Sequence, residues 1–266
     1  MKKLLLMLAM AALVPALANA QSSGSFSYGN TGGTHCMLDK SSGVISGGAT
    51  CSSGTDCTAN GCTPIPDTSN NVCGGTINAG IKTNSGSGNV FVVRPSAVIG
   101  LLTDVSVQKS STVDIGTSSA FAGVDFSLAV TPPNGAPTPC ISPNFSVTYA
   151  SRFIQISTNL FSVLGTLCTT TNTVGGTTTS QGCYITFNES TVSAHSFDWV
   201  VGYPDANATA NGNPATCGTL SSGVYGIAAN WTASLGNSGI SESLTCVGPV
   251  NLTVTQNKIF NFNTVN

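Results

Sequence analysis

Along most of the chain, apolar and polar residues take turns one by one. Val124, Phe126, Leu128 and Val130 alternate with Asp125, Ser127 and Ala129, and Pro132-Pro133-Asn134-Gly135 follows as a turn. Phe145, Val147 and Tyr149 keep the same period, as do His195, Phe197, Trp199 and Val201. The longest run is Tyr225, Ile227, Ala229, Trp231, Ala233 and Leu235, and Leu252, Val254, Phe260 and Phe262 close the chain. A period of two puts every second side chain on one face of a strand, so each segment predicts a half-buried strand. The run from Ala97 to Leu102 is apolar apart from Gly100, which predicts a strand covered on both faces. No sustained 3.6-residue period follows residue 20.

The texture differs before residue 90. Residues 21–89 are rich in Gly, Ser, Thr and Asn, with short apolar pieces at Phe26–Tyr28, Val44-Ile45 and Ile77–Ile81. They read as loops and short strands, and Asn84–Asn89 reads as a turn or linker. The expected organisation is a segment 1–20, a Cys-rich, loop-dominated region 21–89, and a β domain 90–266. The expected fold class is all-β: a disulfide-stapled antiparallel β-sandwich, immunoglobulin-like in pattern. A membrane barrel shares the alternation, but ten cysteines suit a stapled sandwich better, and aromatic girdles are not evident.

Residues 1–20 have the layout of an export signal. Lys2 and Lys3 precede the apolar stretch Leu4–Val14, Pro15 breaks it, and Ala18-Asn19-Ala20 forms a small-x-small cleavage site. Cleavage would leave a chain starting at Gln21, with no later stretch apolar enough to span a bilayer. The lysine-rich start and the Ala-x-Ala ending are bacterial in style. Without Lys2 and Lys3, six basic residues face ten acidic ones, a net charge of −4. That surface lacks the basic footprint of a nucleic-acid binder and the polybasic cluster of a lipid-surface protein.

The cysteines are Cys36, Cys51, Cys57, Cys62, Cys73, Cys140, Cys168, Cys183, Cys217 and Cys246. In an oxidising compartment the default is five bridges, drawn from about 945 pairings. Five cysteines lie before residue 80 and five after 139, so full pairing demands a bridge between the groups. Cys168 and Cys183 flank a Thr/Gly-rich run and suit a local bridge. Zinc is the rival for Cys51, Cys57 and Cys62, but their gaps are long and the chain has only His35 and His195.

Catalytic constellations are sparse. His195 and Asp198 are three apart on a strand, so they face opposite ways. Ser106-x-x-Lys109 matches a catalytic motif that belongs on a helix, and here it lies on a strand. Glu189 and Glu242 have no paired carboxylate in spacing. Asp56, Thr58, Asn60, Gly61 and Asp67 follow calcium-loop spacing, but Cys57 and Cys62 interrupt it, and a disulfide-tied turn is favoured. Asn-x-Ser/Thr sites at Asn144, Asn188, Asn207, Asn230 and Asn251 read as chance in so Thr-rich a chain. Trp199 and Trp231 sit on apolar faces and read as core.

The expectation is an exported, non-enzymatic structural, adhesive or partner-binding protein, secreted or held in the periplasm or at the cell surface. No cofactor is expected; the partner would be an extracellular protein or a glycan, and not nucleic acid. A carbohydrate-binding module is the alternative, marked by exposed aromatics in a line. A secreted hydrolase is the third, marked by a pocket joining a histidine to Ser and Asp.

Overall fold

A computed structural model describes residues 25–31, 35–46, 49–52, 63–64, 73–83, 89–109, 117–157, 171–174, 177–180, 183–203 and 217–258. The strands are β1 (Phe26–Asn30), β2 (Met37–Leu38), β3 (Ile45–Ser46), β4 (Ala49–Ser52), β5 (Thr63–Pro64), β6 (Cys73–Thr83), β7 (Asn89–Lys109) and β8 (Thr117–Thr131). There follow β9 (Ile141–Ser142), β10 (Val147–Ser157), β11 (Thr171–Val174), β12 (Thr177–Ser180), β13 (Cys183–Ser196), β14 (Trp199–Val201), β15 (Gly223–Ser238) and β16 (Ile240–Lys258). No helix occurs among the described residues.

Two antiparallel sheets face each other. The first centres on the 21-residue β7: β16 pairs along one edge, and β13 and β14 share the other. β1 and β4 extend it beyond β16, and β9 beyond β14. The second sheet runs β10-β8-β15-β6-β5. From β6 to β10 the chain crosses between the sheets at every connection, and it crosses again from β14 to β15 and from β15 to β16. Strands from residues 26–83 enter both sheets.

The alternation explains the core. Phe91, Val93, Ala97, Ile99 and Leu101 of β7 point inward, as do Leu252 and Val254 of β16. They meet Ala122, Val124 and Phe126 of β8 and Tyr225, Ile227, Ala229, Trp231 and Ala233 of β15. Trp199 and Trp231 are both buried here. An aromatic ladder joins the sheets: Phe126 stacks on Tyr149 at 4.1 Å, Tyr149 on Trp199 at 6.4 Å, and Phe197 meets Trp199 edge-on at 4.9 Å. The Tyr149 hydroxyl donates to the Pro95 carbonyl at 2.8 Å, which satisfies its buried oxygen.

The outer face of the first sheet is covered over part of its length. Cys36, Ile45 and Cys246 are buried there against Leu38, Val98, Leu102, Val192 and Leu244. This cover is why the run from Ala97 to Leu102 is apolar on both faces. The β2–β3 turn is built by Asp39, whose carboxylate accepts from Ser41 N and Oγ at 2.9 and 2.6 Å and from Ser42 Oγ at 2.8 Å. Those bonds, Ser41's first, hold the Asp39 carboxyl down at about 2.

Among the described residues, two disulfides fix the assembly. Cys36–Cys246 ties the hairpin to β16 across 210 residues and joins the early cysteine group to the late one. Cys140–Cys217 closes a second, 77-residue separation. Taken singly, loops of these lengths stabilise by roughly 4–5 kcal/mol in the chain-entropy model. Among the described residues, no helix is long and apolar enough to cross a membrane.

Candidate functional site

Beyond the hairpin, no described element covers the outer face of the first sheet, and pairing register fixes what it presents. In antiparallel pairs, directly opposed residues point to the same side. One row reads Phe26, Thr255, Val92, Val200 and Ser142 across β1, β16, β7, β14 and β9. The next reads Tyr28, Thr253 and Arg94, with Asp198 beside Arg94 just before β14. The third reads Asn30, Asn251, Ser96 and Ser196. Three inter-strand spacings and four residues of rise make this grid about 14 Å on a side.

Two aromatic rings stand on it. Phe26 is 63% exposed and Tyr28 52% exposed, two residues apart on the edge strand β1. The Tyr28 hydroxyl donates to Asn251 Oδ1 at 3.0 Å and accepts from Asn30 Nδ2 at 2.9 Å. Both partners lie in the next row, so the phenol ring is drawn along the sheet surface. Across the grid, Arg94 grips Asp198 in a bidentate pair, Nε to Oδ1 at 2.5 Å and Nη2 to Oδ2 at 2.6 Å. Arg94's hydrogen bonds hold the Asp198 carboxyl below its ordinary range, and the pair raises Arg94 in turn. The pair has no net charge and stays half-exposed.

The catalytic candidates fall elsewhere. Asp198 pairs with Arg94. The strand through His195 and Trp199 is interrupted at Phe197-Asp198, which separates β13 from β14. His195 Nε2 lies 2.6 Å from Ser193 Oγ on the same strand. Ser106 is buried, its Oγ 3.1 Å from Thr186 Oγ1 and its carbonyl accepting from Ser118 Oγ at 2.7 Å. Glu189 pairs with Arg152 at 3.7 Å, and Glu242 lies opposite Asp104 on β7.

Asp56, Thr58, Asn60, Gly61 and Asp67 lie outside the described residues, as do Cys57, Cys62 and Cys168. Cys51, Cys73 and Cys183 are described as backbone of β4, β6 and β13 only.

Phe26, Tyr28 and Arg94 were not singled out by sequence reasoning. The signal was present but thin: Phe26-Ser27-Tyr28 alternates for three residues in a Gly/Ser-rich stretch. Its partner strand lies more than 220 residues downstream, so no local pattern shows which face the rings take.

No protein family matches this chain, and no curated protein is similar to it in sequence.

Proposed function

We propose that this is an exported, non-enzymatic β-sandwich, of bacterial style, that binds an extracellular partner through the open part of its first sheet. Residues 1–20 direct export and are removed, and the protein works at the cell surface or in the medium. The disulfides serve to lock the scaffold there. The single observation carrying the reading is the aromatic pair Phe26 and Tyr28, exposed on a strand that is otherwise well ordered by pairing with β16. Two large exposed rings on one flat face cost solvation without contributing to the core, which is the mark of a contact surface.

A role in hydrolysis has less support. His195 engages Ser193, while the carboxylate closest to it in sequence, Asp198, is paired with Arg94 and so is not there to orient the imidazole.

The test is adherence of the purified protein to the extracellular matrix of the cells that export it. Tyr28→Ala and Arg94→Glu should each lower adherence severalfold. Phe153→Ala, on the outer face of the second sheet, should leave it unchanged. Equal adherence of all variants would remove the proposal.

A further inference from the structure

We infer that the open face takes a neutral glycan, with pyranose rings stacked on Tyr28 and Phe26 and hydroxyls bonded by the Arg94–Asp198 pair. The inference rests on the reading of that face as the contact surface.

Four features carry it. The first is preorganisation: Asn30 and Asn251 clamp the Tyr28 hydroxyl, so the ring is already laid down before any ligand arrives. Little rotamer entropy is then lost on binding. A flat, fixed ring with one face open suits the C–H face of a sugar. The second is spacing. Phe26 lies two residues from Tyr28 on the same side of β1, about 6.8 Å along the strand. Two rings in a line suit successive units of a chain.

The third is charge. Arg94 and Asp198 satisfy each other through two hydrogen bonds, yet both remain half-exposed. A hydroxyl both donates and accepts, so it bonds such a pair without breaking it. The pair carries no net charge to attract an ion, which favours a neutral ligand over a charged one. Around the pair stand further hydroxyls, those of Thr253, Thr255, Ser96 and Ser196.

The fourth is size. The grid covers about 200 Å². A stable protein interface takes about 800 Å² from each partner, and the hairpin bounds this face on one side. A short stretch of polysaccharide fits the area of this grid, which by itself is below what a stable protein interface takes. On the second sheet the exposed Phe153 stands opposite the half-buried Phe121 and lacks these features: the residues beside the two include Gly123 and Gly236.

Affinity electrophoresis and sedimentation should be run with neutral polysaccharides: cellulose, chitin, a mannan, a mixed-linkage β-glucan and a dextran. At least one should retain the protein, and Tyr28→Ala and Phe26→Ala should each weaken retention about tenfold. Tyr28→Phe, which keeps the ring and drops its clamp, should fall between. Phe153→Ala should bind normally, and melting temperatures should show that every variant is folded. Failure of all these polysaccharides to retain the protein would overturn the inference, as would retention unaffected by Tyr28→Ala. Face-dependent adherence without polysaccharide binding would remove the glycan alone. Adherence indifferent to Tyr28→Ala and Arg94→Glu would remove the surface reading as well.

Discussion

Gly75 lies directly across from Trp231 on the neighbouring strand, and a methyl group at its Cα would stand 2.5 Å from the indole nitrogen. The indole is rigid and buried, so it cannot yield cheaply. Gly75→Ala is expected to destabilise by about 1–3 kcal/mol, read from urea unfolding. Thr103 makes the opposite case. Its side chain is buried between the sheets with no partner for Oγ1. Thr103→Val keeps the shape and removes the unpaired hydroxyl, so stability should rise by about 1 kcal/mol. A loss instead would show that the hydroxyl bonds an internal water.

The Arg94–Asp198 pair gives a pH expectation. The folded Asp198 carboxyl titrates below its unfolded value, near 4. The pair's contribution is therefore complete above that value and disappears as pH falls through the folded one. Adherence should be flat from neutral pH down to about 5 and collapse in stronger acid. Asp198→Asn should flatten the acid limb. Tyr149 acts at the other extreme. Burial pushes its phenol well above the ordinary value near 10, so the unfolded chain ionises first and stability falls as pH rises past that point.

Among the elements, the stapled hairpin β2–β3 is the most separable. Its apolar contacts are Ile45 and Leu38 against Val98, Leu102, Val192 and Leu244, and its one described covalent tie is Cys36–Cys246. The double variant Cys36→Ala, Cys246→Ala should release the hairpin before the sheets open. Hydrogen exchange should then rise over residues 37–46 and leave β8 and β15 protected. Uniform loss of protection would show that the hairpin and sheets unfold as one unit. The turn at Gly239 is less forgiving. Its φ is +74°, and an added Cβ would stand 2.4 Å from Ser118 Oγ, which bonds both Ser106 O and Ile240 N. This corner carries the chain from the second sheet to the first.

The long strands were legible because each carries its own alternation: Tyr225 to Leu235 in β15 and Val124 to Val130 in β8 name their inward faces without help. The short ones were not. β1 and β4 take shape from partners far along the chain, so Gly/Ser/Thr-rich stretches with little local preference become sheet members. The same separation hid the candidate site. Arg94 reads as a charge inside an apolar strand, and Tyr28 as an isolated aromatic. Only the register of β1, β16 and β7 sets them in one row, with Thr253 between them. Asp198 was visible as a carboxylate close to His195 in sequence, but its partner was not.

At the scale of the whole molecule, nearly every strand pairs with one distant in sequence, and the chain alternates between sheets. Such topology folds slowly, in the range of milliseconds to seconds, and exposes edges on the way. The Cys36–Cys246 bridge, which joins early and late residues, would hold the finished product in the oxidising medium proposed above. What that rigid body presents is the unfilled part of its first sheet, and the account stands or falls on that surface being the one that meets a partner. Covalent footprinting of the protein adsorbed to the matrix of the exporting cells measures this directly. The account predicts protection of Phe26, Tyr28 and Arg94 with Phe153 still open to label; protection at Phe153, or none at the three, would contradict it.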